Sequence, residues 1–123
     1  MNPEHSLRAR RVAQSIKKTI TDFLSRDASD PALSGVAVTE VEVTADLGIA
    51  TVKARLYVGG EDSARRRLAL QGLSRIGGRL RRSLGSALRL KRVPELRFVY
   101  DEGADAADRV EQLLSEIEQE KRR

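Results

Sequence analysis

Cysteine and tryptophan are absent from the 123-residue chain, and histidine occurs once, as His5. The lack of cysteine excludes a disulfide framework, a thiolate zinc site and a cysteine nucleophile. His5 lies in a terminal segment that is expected to be mobile, which argues against a histidine-centred active site. Aromatic residues make up 3% of the chain, and only Tyr57 is a plausible stacking platform for a nucleic-acid base.

Long apolar runs are missing as well. None approaches the roughly 20 residues that span a bilayer, and residues 1–6 contain no apolar signal core, so we expect a cytoplasmic protein without a membrane partner. No cluster of histidines or carboxylates has metal-ligand spacing, and Gly59-Gly60 lacks the lysine and hydroxyl residue of a nucleotide-binding loop. The sequence therefore predicts a non-catalytic protein with no cofactor, no metal and no small-molecule substrate.

Charge is abundant but segregated. The net charge is +5, yet residues 63–94 contain ten basic side chains and no acidic one. This basic block consists of Arg65, Arg66, Arg67, Arg75, Arg79, Arg81, Arg82, Arg89, Lys91 and Arg92. A basic block beside acidic segments favours oriented docking on a polyanion such as nucleic acid. The alternative, an ordinary solvated helix, usually interleaves both signs.

Four members of the block share one stripe if the segment is helical, because Arg75, Arg79, Arg82 and Arg89 follow one another at steps of four, three and seven residues. Repulsion within such a stripe favours a partner that neutralises it. The stripe is expected to hold for Arg79, Arg82 and Arg89, and to be weaker for Arg75, which precedes a predicted kink.

Periodicity predicts the order helix, strand, strand, helix, helix, strand, helix, as one α+β domain over residues 1–123 with a three-stranded sheet packed against helices. The first helix, over residues 6–25, carries Arg11 and Lys18 on the face opposite its apolar side. These two cations either extend the basic surface or are simply solvated. The tail Lys121-Arg122-Arg123 is predicted to be frayed.

Two alternating runs predict an antiparallel hairpin. Its apolar faces would be Ala37, Thr39, Val41 and Val43 on the first strand, and Ala50, Val52, Ala54, Leu56 and Val58 on the second. On the other face, Glu40 and Glu42 would lie opposite Lys53 and Arg55, and such cross-strand pairs contribute roughly 0.2 to 1 kcal/mol each. We interpret this polar face as structural and exclude it from the binding site.

The helices that follow flank two glycines. Asp62 and Ser63 supply capping chemistry for the first of these helices, and Gly77-Gly78 marks a kink or a helix-to-helix turn, because each glycine inside a helix costs about 1 kcal/mol relative to alanine. The predicted buried residues are Leu68, Ala69, Gly72, Leu73 and Ile76 before the glycines, and Leu80, Leu84, Ala87 and Leu88 after them. A third strand alternates through Leu96, Phe98 and Tyr100, and a final helix carries Val110, Leu113, Leu114 and Ile117 at helical spacing.

This element order, with a glycine-marked helix pair beside a sheet, resembles the type II KH fold. KH domains hold single-stranded nucleic acid at a GxxG turn between two helices, where backbone N–H groups and a positive helix terminus meet the phosphates. Here the turn is shortened to Ile76-Gly77-Gly78.

Longer motifs resemble bacterial ribosome-binding factor A. They are Asp30-Pro31-x-Leu33, then Val41-Glu42-Val43-Thr44-x-Asp46-Leu47, then Leu84-Gly85-x-x-Leu88-x-Leu90-x-x-x-Pro94-Glu95-Leu96-x-Phe98. The resemblance runs through nearly the whole chain, from Arg10-Arg11-Val12-Ala13 to the final helix. It implies an Ala-x-Gly kink in place of GxxG. Gly78 matches the family glycine, Ile76 stands where the family has alanine, and Gly77 is expected to supply the conformational freedom of the kink.

The same resemblance implies a ribosome assembly factor that binds 16S rRNA and assists late 30S subunit maturation and rRNA processing. The residues expected to contact RNA are Arg75, Gly77, Gly78, Arg79, Arg81, Arg82, Arg89, Lys91, Arg92, Arg11 and Lys18. The expected partners are the 30S subunit and its 16S rRNA, and the core pattern does not require a dimer. Three other functions stay open: a small DNA-binding or nucleoid-associated protein, a module that binds an acidic protein surface, and an RNA-directed enzyme, for which the sequence offers no catalytic group.

Overall fold

The structure of the chain is a computed structural model that describes residues 6–27 and 29–122. His5 and Arg123 lie outside the described residues. The elements are α1 (Leu7–Asp27), a short 3-10 helix (Pro31–Leu33), β1 (Val36–Val43), β2 (Ile49–Leu56), α2 (Ser63–Arg75), α3 (Gly77–Leu88), β3 (Glu95–Tyr100) and α4 (Glu102–Lys121). The predicted α+β, KH-like fold class and the order of its helices and strands are confirmed.

One face of α1 packs against the sheet. The hydroxyl of Ser6 accepts a hydrogen bond from the Ala9 amide at 3.0 Å, which satisfies one of the free N–H groups at the start of the helix. Buried Ala9, Ala13, Ile16 and Ile20 form a single stripe, because they follow one another at steps of four, three and four residues. The opposite face, which carries the exposed Arg11 and Lys18, points to solvent.

The central strand of the sheet is β2, which runs antiparallel to β1 and parallel to β3. Its predicted apolar side is buried at Ala50, Val52, Ala54 and Leu56. The prediction is wrong for Val58, which is exposed because β2 ends at Leu56. Parallel strands need a crossover connection, and α2 and α3 provide it. As a result, β3 becomes an edge strand whose residues alternate between exposed and half-buried.

The predicted alternation of β1 is wrong in its first half. The pairing register shifts between Val38 and Glu40, and this β-bulge at Thr39 allows Val38 and Val41 to be buried together. Thr39 does not join the apolar side but donates a hydrogen bond to Asp101 Oδ2 at 2.6 Å.

The predicted ion pairing on the polar face of the sheet is confirmed for Lys53 and wrong for Arg55. Lys53 Nζ lies 3.1 Å from Glu42 and 3.4 Å from Glu40, and its hydrogen bond to Glu42 is the main cause that raises the pKa of Lys53. The register places Arg55 beyond both glutamates, and its guanidinium instead pairs with Asp105 of α4 at 3.0 Å.

The helix pair closes the core with Leu73, Ile76, Leu80 and Leu84, which are all buried. Two predicted core positions, Leu68 and Ala87, are exposed. Further along α2, Gly72 lies so close to the 3-10 helix that an added Cβ would lie 3.0 Å from Leu33 Cδ2. On the same helix, Leu70 packs against the core, while Leu68 faces solvent.

The final helix, α4, leaves the body of the domain after its first turns. Its N-cap is Asp101, which accepts a hydrogen bond from the Ala104 amide at 3.0 Å, and Asp105 is buried. The predicted helix is confirmed, but every described residue from Ala106 onward is exposed. Its apolar residues therefore do not pack on the domain that carries them.

Candidate nucleic-acid interface

The junction between α2 and α3 is a single residue, Ile76. It has φ −89° and ψ 1°, which any L-residue can adopt at a turn, and its side chain is buried in the core. The expectation that Gly77 supplies the freedom of the kink is wrong, because Gly77 already belongs to α3 and has no positive φ. Isoleucine thus serves as both the bend and a core residue.

Gly77 and Gly78 form the first turn of α3, and nothing in the described chain crowds them. Among the residues that the structure describes, a Cβ built on either glycine would meet no atom within 4 Å, and no side chain caps the start of α3. The first amides of a helix lack intrahelical acceptors and carry a partial positive charge. The two glycines therefore present a bare, electropositive stretch of backbone.

A cleft of about 530 Å³ lies beside this turn, between the helix pair and β3. Its lining includes Gly77, Gly78 and Arg81 on one side, and Leu96, Arg97 and Phe98 on the other. Arg81 donates a hydrogen bond to the Val93 carbonyl at 3.3 Å, which holds its guanidinium near the rim. Arg97 was not among the predicted residues. Only the parallel placement of β3 beside β2 brings it here, and its ion pair with Glu95 at 3.3 Å is local.

Arg75 differs from the other basic residues predicted to bind RNA. Its guanidinium donates to Asp30 Oδ2 at 2.7 and 3.2 Å, and this hydrogen bonding is the leading cause that lowers the pKa of Asp30. Arg75 lies before the kink, on α2. It is thus separated from the α3 residues and already has a carboxylate partner.

The early part of the basic block is also partly occupied. Arg66 pairs with Glu102 at 3.2 Å, and its guanidinium lies 4.6 Å from the centre of the Tyr100 ring. It also donates to the Gly60 carbonyl. These contacts join α2 to α4, so the guanidinium of Arg66 already has partners within the fold.

The exposed cations of α3 are Arg79, Arg81 and Arg82, and the first and last of these lie outside the cleft lining. Those two lie on the side of the helix away from the buried Leu80 and Leu84, and Arg79 lies 5.5 Å from the centre of the Phe23 ring on α1. A cation held over an aromatic face keeps its outer N–H groups available for a phosphate. Both residues are placed as the sequence predicted.

The stripe does not continue to Arg89 as a helix face. α3 ends at Leu88, and Arg89 is its C-cap in the left-handed region, with φ 50° and ψ 36°. The three exposed cations Arg89, Lys91 and Arg92 therefore belong to the turn that leads to β3. The angular argument that grouped Arg89 with Arg79 and Arg82 is wrong for this reason, although all three remain exposed.

In the described residues outside Asp27, whose side chain is not described, no carboxylate lies within 4 Å of the six cations of α3 and the turn after it. They are Arg79, Arg81, Arg82, Arg89, Lys91 and Arg92. Three residues singled out from the sequence, Arg11, Lys18 and Tyr57, do not line the cleft. Arg11 and Lys18 project from the solvent face of α1, and Tyr57 lies at the end of β2 with the Arg55 guanidinium 5.1 Å from its ring centre.

Within residues 6–27 and 29–122, no group of three or more histidine or carboxylate side chains could hold a metal ion. None of the helices in this part of the chain has the length and apolar character needed to cross a bilayer.

Comparison with known proteins identifies a family whose members resemble this chain. The family model described as ribosome-binding factor A matches residues 8–114. A ribosome-binding factor A from Sorangium cellulosum is 48% identical over 110 residues, which cover 89% of this chain and 88% of that protein. A solution NMR structure of a Thermotoga maritima protein, described as a candidate ribosome-binding factor A, has a TM-score of 0.64 at 28% identity and covers 84% of this chain and 93% of its own.

A third similar structure is a homology model of the Thermus thermophilus ribosome-binding factor A, fitted into a cryo-EM map of its complex with the 30S subunit. Its TM-score is 0.59 at 27% sequence identity, and the match covers 75% of this chain and 92% of that one.

Proposed function

The chain belongs to the ribosome-binding factor A family, and from this premise we propose that it binds the 16S rRNA of the small ribosomal subunit. In this role it assists late 30S maturation and rRNA processing without catalysing a reaction. It acts in the cytoplasm as a monomer, and its partner is the 30S particle. It uses no cofactor and no small-molecule substrate.

The observation that carries this proposal is the bare Gly77-Gly78 backbone at the start of α3. Glycine destabilises a helix relative to alanine, and neither glycine has a neighbour that would exclude a Cβ. A phosphate that binds the first-turn amides of α3 would be blocked by a Cβ at either position. Binding of a phosphate therefore explains why glycine occupies both positions. This is the shortened counterpart of the GxxG contact.

The surrounding charge suits the same ligand. Arg79 and Arg82 flank the turn on α3, and Arg89, Lys91 and Arg92 follow at its other end. In our proposal these five cations neutralise phosphates along the strand, while Arg81 and Arg97 contact it in the cleft. Arg75 contributes little while it is paired with Asp30.

Recognition then rests on phosphates and shape more than on base stacking. Phe98 is the one aromatic residue in the lining of the cleft, and it is half-buried. Flat, exposed aromatic rings are the usual platform for sequence-tolerant stacking on single strands. The structural similarity to a relative that was fitted into a 30S complex supports the small subunit as the destination.

Crosslinking in cells, with mapping of the bound RNA, tests the proposal. We expect the wild-type chain to crosslink to 16S rRNA and the variant Arg79→Glu/Arg82→Glu to lose these crosslinks while it stays folded, because both side chains are exposed. The matched control is Arg65→Glu/Arg67→Glu, which changes the charge equally on α2, where we place no RNA contact. Crosslinks that survive in the first variant, or vanish equally in the control, would contradict the proposal.

Two further measurements test the alternative functions, a DNA-binding protein and a module that binds an acidic protein. Competition between duplex DNA and small-subunit RNA at matched salt distinguishes a nucleoid protein, which would prefer the duplex. Co-sedimentation with small ribosomal particles should be abolished by ribonuclease. Persistence of co-sedimentation would favour a basic module that binds an acidic protein surface.

A further inference from the structure

Beyond Asp108, α4 carries an apolar stripe that the domain leaves uncovered. Val110, Leu113, Leu114 and Ile117 lie on one helix face, because they occupy positions i, i+3, i+4 and i+7. Their side chains are 40–58% exposed. Scattered single leucines on a surface are common, but a contiguous set of large aliphatic side chains is typical of a docking site.

Carboxylates surround this stripe. Residues 109–121 of α4 contain four glutamates, Glu111, Glu116, Glu118 and Glu120, against two cations, Arg109 and Lys121, for a net charge of −2. Within the described residues, no cation lies within 4 Å of these glutamates. Glu118 and Glu120 lie in the last turn, where the helix dipole disfavours negative charge. Lys121 in the same turn suits the dipole. Most of the charge beside the stripe is nevertheless negative.

The base of α4 is held firmly. Arg55 pairs with Asp105 at 3.0 Å and also with Asp108, and the Tyr100 hydroxyl donates to Asp105 at 2.7 Å. Removing one member of a largely buried ion pair is strongly unfavourable, so these contacts fix the direction in which α4 leaves the domain. The rest of the helix extends for about 20 Å without support, and a helix this short is marginal in water until it is packed.

We propose that residues 109–121 dock into an apolar cleft, rimmed by basic side chains, on a protein. The net charge of −2 on residues 109–121 favours this class of partner, because the four glutamates beside the stripe would repel RNA phosphates and anionic lipids. A second copy of α4 carries the same negative charge, and the stripe covers too few turns for a coiled coil. The inference rests on the proposed function in one respect: we expect the basic partner protein to belong to the small ribosomal subunit.

Affinity measurements with two probes, purified small subunits and protein-free 16S rRNA, separate this helix contact from the RNA contact. Leu113→Gln/Ile117→Gln should weaken binding to subunits about tenfold and leave binding to protein-free rRNA unchanged. Glu116→Lys/Glu118→Lys should also weaken binding to subunits, whereas an RNA partner would make it bind more tightly. The control Ser115→Ala/Gln119→Ala, on the same helix, should bind both probes like the wild type.

A photo-crosslinker in place of Leu114 identifies the partner. The expected product is protease-sensitive and contains a basic protein of the subunit. An RNA adduct, a crosslinked dimer of this chain, or wild-type subunit affinity of Leu113→Gln/Ile117→Gln would overturn the inference. Failure of the wild type to bind protein-free rRNA counts against the proposed function instead, and the subunit measurements still decide the role of α4.

Discussion

Arg75 donates two hydrogen bonds to Oδ2 of Asp30, at 2.7 and 3.2 Å, and so ties α2 to the residue that precedes the 3-10 helix. One member of a basic block without acidic neighbours in sequence thus has a carboxylate partner in space. On α3 and the turn that follows it, no cation has a carboxylate within 4 Å in the described residues outside Asp27. We therefore place the boundary of the proposed RNA surface at the kink.

This boundary predicts unequal effects of two arginine substitutions. Arg82→Ala should weaken rRNA affinity about three- to tenfold and reduce the slope of log K against log salt by about 0.7, because one phosphate contact with a single strand is lost. Arg75→Ala should change the affinity less than twofold. Filter binding across a salt series measures both. An equal or larger effect of Arg75→Ala would place the surface on both sides of the kink.

Alanine at Gly78 should separate stability from binding. Because a Cβ at this position meets nothing within 4 Å, Gly78→Ala should stabilise the free protein by about 0.5 kcal/mol through helix propensity and yet weaken rRNA binding several-fold. Gly60→Ala is the contrasting variant, since its Cβ would lie 2.6 Å from the Tyr100 hydroxyl. We expect it to destabilise the fold by about 2 kcal/mol. Unchanged rRNA affinity of Gly78→Ala would remove the glycine contact from the account.

Arg89 combines backbone strain with a functional charge. Its φ of 50° costs a non-glycine residue roughly 1 kcal/mol, so Arg89→Gly should be more stable than Arg89→Ala by about 0.5 to 1 kcal/mol in chemical denaturation. Both variants lose the cation and should bind rRNA equally weakly. Equal stability of the two would show that the left-handed cap is not a source of strain.

The lowered pKa of Asp101 predicts that part of the stability of the fold is lost in acid. The Thr39 hydroxyl, and after it the Ala104 amide, hold the pKa of Asp101 below its ordinary 3.8. A carboxyl whose pKa is lower in the folded state stabilises the fold above pH 3.8, and this stability is lost as the pH falls through the folded pKa. Asp101→Asn keeps an oxygen for the Ala104 amide but cannot ionise.

Urea midpoints at pH 7 and pH 3 measure this contribution. The wild type should lose more stability between the two pH values than Asp101→Asn does. Asp30 and Asp46, whose pKa values are also lowered, contribute equally in both proteins and cancel. An identical loss in both would assign the acid sensitivity to other groups.

The local periodicity of apolar residues was sufficient to predict much of this fold. Leu80 and Leu84 are buried as predicted, because a helix stripe depends only on positions three and four residues apart. The glycine pair at 77 and 78 marked the junction of the two helices for a similarly local reason. The family resemblance, carried by longer motifs, is confirmed by the match over residues 8–114.

Contacts between distant segments were not predictable in the same way. The bulge at Thr39 and the Arg75–Asp30 pair depend on strand register and on packing across 45 residues of chain. Arg97 reaches the cleft only because β3 joins the sheet in parallel. The exposure of Leu113 could not be anticipated either, since an amphipathic helix looks the same whether its partner is its own domain or another protein.

The salt dependence of binding to protein-free 16S rRNA tests the central claim most directly. If Arg79, Arg82, Arg89, Lys91 and Arg92 each neutralise a phosphate, log K should fall with log salt at a slope of about −3.5 for single-stranded RNA, a loss of roughly a hundredfold between 50 and 200 mM. Arg79→Glu/Arg82→Glu should bind too weakly to give such a curve. A flat salt dependence, or a steep one that the variant retains, would contradict the claim that these cations hold ribosomal RNA.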